Sequence, residues 1–136
     1  MGAFTDAENA IRQRLAAAWT TTPVVYENQP YEAPGTTPFV FCEILQGGAD
    51  QMSLGSTTLR LYRLTGIIIL NIFTPAGTGT KLGNEYADSL ATIFRGVSFS
   101  GVLTFAPRKS SNSGPTDDGK WHRISIITPF QFDANF

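Results

Sequence analysis

Thr58-Leu59-Arg60-Leu61-Tyr62-Arg63-Leu64-Thr65-Gly66-Ile67-Ile68-Ile69-Leu70-Asn71-Ile72-Phe73 is the stretch on which the fold turns. Its first half alternates: Arg60 and Tyr62 oppose Leu59 and Leu61. That is the period of a strand with one wet face. Its second half, Ile67 to Phe73, is apolar on both faces apart from Asn71. The stretch predicts one long strand, or two strands bent at Gly66. A strand apolar on both sides has a helix on one side and a second helix or another subunit on the other.

Upstream of it, Phe39 to Leu45 predicts a second strand. Phe39, Phe41 and Glu43 take one face; Val40, Cys42 and Ile44 take the other. Gln46 to Thr57, with Gly47, Gly48 and Gly55, reads as a loop. Val24 to Tyr26 suits a short edge strand, and Asn28, Pro30, Pro34 and Gly35 break the segment between it and Phe39. Phe4 to Trp19 reads as an amphipathic helix, with Phe4, Ala7, Ile11, Leu15, Ala18 and Trp19 on one face. Thr5 and Glu8 form a capping-box pattern, and Pro23 stands just past the helix end.

Downstream, Pro75 to Thr80 is a tight connection, and Thr80 is placed to cap a helix from Lys81 to Arg95. Leu82, Tyr86, Leu90, Ile93 and Phe94 form its expected stripe, and Gly96 sits at the C-terminal cap position. Val97 to Arg108 and Lys120 to Phe132 predict a β-hairpin. In its second arm His122, Ile124, Ile126, Thr128, Phe130 and Phe132 share a face. Together these elements predict an α+β fold in the order α-β-β-α-β-β. The sheet is mainly antiparallel (mixed), of about four to five strands, with two helices packed on it. One domain over residues 1–136 is expected, with a flexible hairpin loop at about 109–120.

Composition removes several functions. The chain has 136 residues and a net charge of −1, so no overall basic field draws nucleic acid. One Cys, Cys42, and one His, His122, exclude a disulfide framework, a Cys-based zinc site and a multi-histidine metal site. The opening MGAFTDAENAIRQRL lacks a charged region followed by an apolar one, so no secretory signal is expected. No apolar run approaches the ~18–20 residues of a membrane span, so no membrane partner is expected. Charged residues are only 15% of the chain, against about 25% in an average protein. A surface short of charge suits a subunit covered by its neighbours.

Candidate chemistry is thin. Gly77-Thr78-Gly79-Thr80-Lys81 lies between a strand and a helix, where phosphate loops sit. It departs from G-x-x-x-x-G-K-[ST], because Leu82 comes after Lys81, so a tight turn is the favoured reading. Cys42 alternates within an apolar strand and reads as core. His122 reads as a packing residue at a strand end. Asp117 and Asp118 lie in a loop too loose for a preorganised acid–base pair. No nucleophile, base and orienting group come together, so no catalytic residue, no cofactor and no metal are expected.

The order and spacing of several short motifs resemble one family. Gln51-Met52-Ser53-Leu54-Gly55, Arg63-x-x-Gly66, Ile72-Phe73-x-Pro75-x-Gly77-x-Gly79 and Ala87-Asp88-x-Leu90-x-x-x-Phe94 are similar to the tail terminator (tail completion) proteins of long-tailed bacteriophages. The likeness runs from Phe4 to Phe105. It implies a non-enzymatic virion protein that assembles into a homo-oligomeric, hexameric ring. The ring would cap the tail tube, end its polymerisation and offer the head-docking surface, with DNA passing through its hole.

Implied partners are further copies of itself, the tail tube protein and a head-completion or neck protein, with passing DNA touched nonspecifically at most. The implied location is the virion tail at the tail–head junction, and the host cytoplasm during assembly. Position and charge nominate Gln51, Met52, Ser53, Leu54, Arg60, Tyr62 and Arg63 for subunit or tube contacts. Arg108, Lys109 and Lys120 are nominated for the channel or head-facing surface. A neck or head-completion ring protein is the alternative within this class. A small nucleotide- or DNA-binding module is the alternative from another. If the ring reading holds, the apolar excess should lie on two opposite edges of the domain.

Overall fold

The computed structural model describes residues 3–27, 37–51, 61–77, 79–110, 114–116 and 119–135. A helix α1 (Ala3–Ala18) is followed by strands β1 (Val24–Tyr26), β2 (Phe39–Gln51) and β3 (Leu61–Pro75). Helix α2 (Lys81–Phe94) comes next. Short strands β4 (Ser98–Phe99), β5 (Val102–Thr104), β6 (Arg108–Lys109) and β7 (Gly114–Pro115) then lead to the long β8 (Trp121–Asn135). The class is α+β, with two helices on an open mixed sheet.

The sheet has eight strands, not about four to five. Its path is β1-β2-β3-β8-β5-β4, with β6 and β7 also pairing β8. The extra strands come from the expected hairpin. Its first arm is broken into short pieces that each meet β8 at a different height. Only β1 runs parallel to its neighbour; the remaining pairs are antiparallel.

The expected loop after Gln46 is also corrected at its start. β2 continues to Gln51 through an irregularity between Gln46 and Gly48, pairing with β3 as far as Tyr62. A β-bulge absorbs the glycines that sequence reads as a break. β3 is one unbroken strand through Gly66. A side chain there would run into the Leu45 carbonyl and stand 2.8 Å from the Phe130 ring, so glycine marks a close approach between strands and not a bend.

The alternation expected of β2 and β8 holds. Val40, Cys42 and Ile44 are buried, as are Ile124, Ile126, Thr128, Phe130 and Phe132. They meet Leu64, Ile68, Leu70 and Ile72 of β3 beneath both helices, forming one core. From α1 come Ala7, Ile11 and Leu15, with Trp19 just past its end; from α2, Ala87, Leu90, Ala91 and Phe94. The α2 stripe is therefore rotated from expectation. Leu82, Tyr86 and Ile93 are half-buried, while Gly83, Ala87 and Ala91 face the sheet. Small residues let the helix lie close on β8: a Cβ at Gly83 would stand 2.6 Å from Ile124 Cδ1.

Helix ends differ from the sequence reading in two places. α1 begins at Ala3, so Thr5 lies inside its first turn and not at its cap. Thr80 holds the N-cap position of α2, yet its side chain makes no capping hydrogen bond. At the other end Gly96 takes the expected positive φ of 57°. Two distant side chains finish that terminus. Arg14 Nε donates to the Ile93 carbonyl at 2.8 Å, and Thr104 Oγ1 donates to the Phe94 carbonyl. A cation and a hydroxyl there satisfy carbonyls that the helix leaves unpaired.

Candidate assembly surface

Both helices pack on the same face of the sheet, against the even-numbered Val40, Cys42 and Ile44 of β2, Leu64, Ile68, Leu70 and Ile72 of β3 and Ile124, Ile126, Phe130 and Phe132 of β8; on the other face Asn71, Trp121 and Ser125 are buried as well. Among the described residues, no helix lies on the odd-numbered face. The registers align it in cross-strand rows. Phe39, Phe73 and Arg123 form one row, and Phe41, Asn71 and Ser125 the next. Glu43, Ile69 and Ile127 form the third, and Leu45, Ile67 and Pro129 the fourth.

β5 widens this face. Leu103 pairs with Gln131 and so shares its side, and the Phe105 N–H donates to the Pro129 carbonyl at 3.0 Å. Among the described residues, the large exposed hydrophobics are Leu45 at 47%, Leu103 at 36% and Phe105 at 43%. All three belong to this apolar band. Ile67, Ile69, Ile127 and Pro129 between them are half-buried. The apolar excess therefore lies on one broad face and not on two opposite edges.

Two ends of the face are built differently. At one, Phe39 stacks on Phe73 with centroids 4.7 Å apart and meets the Trp121 ring edge-on at 5.1 Å. At the other, Arg63 pairs with Asp133 through two hydrogen bonds, at 2.9 and 3.2 Å. The bidentate hydrogen bond holds the Asp133 carboxyl below its ordinary range and raises Arg63. Between them runs a polar seam: Ser125 Oγ donates to Asn71 Oδ1 at 2.7 Å, and Asn71 Nδ2 donates to Glu43 Oε1 at 2.7 Å. Arg63 and Asp133 thus neutralise each other, and the polar atoms of the seam are bonded within the chain, while Arg108 stands exposed on the same side opposite Ile127.

The nominated residues are only partly brought together. Gln51 and Tyr62 stand opposite each other in the β2–β3 register, and Arg63 lies next to Tyr62 on the odd-numbered face. Met52, Ser53, Leu54 and Arg60 lie outside the described residues. Arg108 and Lys109 are exposed and adjacent, and Lys109 Nζ donates to Asn84 Oδ1 of α2 at 2.9 Å. Lys120 is exposed just before β8, whereas β6 pairs at Ile126 and Ile127. At about 3.3 Å per residue, that separates Lys120 from the other two by roughly 20 Å. The expected basic cluster is dispersed: Arg108 stands opposite Ile127 on the odd-numbered side, Lys109 opposite Ile126 on the helical side, and Lys120 further along.

Leu103, Phe105 and the Asn71 seam were not singled out from sequence. The signal was present for Asn71, a lone amide in an isoleucine run. For Leu103 and Phe105 the signal was absent, because their side depends on which residue of β8 they meet.

The reactive residues behave as packing. Cys42 is 1% exposed, and burial pushes its thiol up to about 12. His122 is half-buried at the start of β8. Gly77 and Gly79 both take positive φ in the turn before α2, and Lys81 is exposed. This is the geometry of a tight strand-to-helix turn. Among the described residues, no group of three or more His, Cys, Asp or Glu is placed to hold a metal ion. Nor is any helix there long and apolar enough to cross a membrane.

A two-layer α+β fold that carries both helices on one sheet face, and Leu45, Leu103 and Phe105 exposed on the other, has the form of a subunit made for contact with other proteins. The chain belongs to the phage tail terminator family, whose model, described as phage tail terminator protein, matches residues 6–130. That membership makes it a structural protein of phage tail assembly, located in the virion tail and interacting with other tail or head proteins. No curated protein matches the chain significantly. A solved structure at 16% sequence identity superimposes with a TM-score of 0.66, over 94% of this chain and 94% of its own. At that identity the likeness speaks for the fold alone.

Proposed function

We propose that the chain acts as a single domain that closes the phage tail tube as a homo-oligomeric ring, taken to be a hexamer. One side of the ring is complementary to the last layer of tail tube protein. The other side does not reproduce that layer, so growth ends and a head-completion protein finds its docking surface. The mechanism is steric: heterologous contacts that close on themselves give a ring and not a filament. The observation that carries this reading is the sheet face opposite the helices, on which Leu45, Leu103 and Phe105 stand exposed. A face of that kind marks a protein contact.

In this reading Gln51, Met52, Ser53, Leu54, Arg60, Tyr62 and Arg63 contact the neighbouring subunit or the tube. Arg108, Lys109 and Lys120 are assigned to the channel or the head-facing surface, each from a different part of the β8 edge. DNA is contacted through phosphates alone and without sequence preference. No catalytic step and no cofactor enter the mechanism.

The test is to add the protein to polymerising tail-tube subunits. Tubes of defined length with the protein at one end support the reading. Unaltered tube growth with no stable complex refutes it.

A further inference from the structure

On the helical side, a groove of about 410 Å³ lies between the second half of α1, the end of α2 and the β4–β5 turn. Sites that hold a ligand are commonly of this size, about 300–1,000 Å³. Its walls are apolar: Ala10, Ala17 and Ala18 of α1, Ile93 of α2 and Phe99 of β4. Gln13 and Ser100 add an amide and a hydroxyl to the lining. Ser100 takes a positive φ of 46°, in a turn position where Gly, Asn or Asp is usual.

Arg14 stands in this groove in a fixed pose. Its Nε donates to the Ile93 carbonyl at 2.8 Å, and its guanidinium carbon lies 4.9 Å from the Phe99 ring centroid. The carbonyl end of a helix carries only about half a negative charge, so α2 orients this cation without neutralising it. Arg14 forms no ion pair among the described residues, and no carboxylate is in the groove lining. With Nε tied down, Nη1 and Nη2 remain as a fork that takes a carboxylate through two parallel hydrogen bonds. One guanidinium balances one negative charge, whereas a phosphate dianion would meet a single cation here.

We infer that this groove docks an acidic side chain with apolar neighbours, carried by a segment of another protein, and that Arg14 anchors its carboxylate. Ala17 and Ala18 are exposed on the rim. A segment lying across α1 covers them and shields the ion pair from water, where such a pair contributes more than on an open surface. The assignment does not depend on ring closure.

The test uses the full chain, isotopically labelled for nuclear magnetic resonance, and two peptides. These are acetyl-Leu-Glu-Leu-amide and acetyl-Leu-Gln-Leu-amide. The acidic peptide should shift the Arg14 Nε–H and the Phe99 and Ser100 amides saturably. It should bind about tenfold tighter than its amide counterpart, the effect of one charged hydrogen bond. Ala17→Glu, about one helical turn from Arg14, supplies a carboxylate from within and should abolish the shifts, while Ala17→Gln should keep them. Both variants should fold as wild type by circular dichroism, since Ala17 is exposed and outside the core.

Peptides that bind equally, or not at all, overturn the proposal. So does binding that Ala17→Glu leaves intact. Sodium acetate that reproduces the shifts at the same concentration also overturns it, because the apolar walls then contribute nothing. If concentrating the protein without peptide produces the same shifts, the occupant is a second copy and the assignment to another protein fails.

Discussion

Ser125 on β8 donates its hydroxyl to Asn71 Oδ1 on β3, 2.7 Å away, and both side chains are buried. Asn71 passes the chain on to Glu43 of β2. The seam ties three strands together on the face opposite the two helices. Replacing one member leaves the others without a partner, and an unsatisfied buried polar group costs about 1–3 kcal/mol. Asn71→Leu should therefore destabilise by about 2 kcal/mol and Ser125→Ala by about 1 kcal/mol, read from urea unfolding midpoints. Equal stability of Asn71→Leu and wild type would show that the seam contributes nothing.

Gly66 and Gly83 are both tight, yet they should respond differently to alanine. At Gly66 the new methyl runs into a backbone carbonyl and meets an aromatic ring at 2.8 Å. Neither can move without shifting the sheet, so Gly66→Ala should cost about 3 kcal/mol, at the upper end for overpacking. At Gly83 the obstacle is Ile124 Cδ1, the far end of a flexible side chain. A rotamer change there is offset by a helix-propensity gain of about 1 kcal/mol, so Gly83→Ala should be close to neutral. Thermal melts of the two variants side by side decide this.

Thr104 closes α2 from a distance. Its hydroxyl donates to the Phe94 carbonyl and accepts from the Val97 N–H at 3.1 Å. Thr104→Val keeps the shape and removes both bonds, at an expected cost of about 2 kcal/mol. Hydrogen exchange should speed up at the Val97 amide more than at mid-helix amides. Uniform acceleration through α2 would argue against a local capping role.

Cys42 links stability to alkaline pH. Its thiol is pushed from 9.0 to about 12 by burial in the core. The folded state therefore keeps a proton that the unfolded chain gives up near 9. Stability from this group is complete below pH 9 and falls as pH rises from 9 toward 12. Urea midpoints of wild type should drop with pH over that range more steeply than those of Cys42→Val, which isolates the thiol from other titrating groups. The folded thiol should also resist alkylation at neutral pH and react at the rate of unfolding.

Much of the architecture was legible along the chain. Alternation placed Val40, Cys42 and Ile44 on the buried side of β2 and Ile124 through Phe132 on the buried side of β8. These are local signals, since a side chain's face follows from its parity. Strand number was not local. The segment Ser98 to Pro115 pairs in two- and three-residue pieces, too short to leave a period. The glycine pair Gly47-Gly48 reads as a loop in isolation. It continues a strand because β3 supplies partners on the far side of the bulge.

The α+β class, the two helices and the inward faces of the long strands were set by the order of residues along the chain. The motif order also resembled the tail terminator family, to which the chain belongs. Tertiary packing was needed to put both helices on one face of the sheet, leaving the isoleucine run of β3 half open on the other. It was needed again to gather Leu45, Leu103 and Phe105 into one band. Parity is a property of one strand, whereas a shared surface depends on the register between strands. Register is set by packing across the sheet, where Gly66 lets Phe130 and the Leu45 carbonyl approach and Gly83 lets α2 settle on β8.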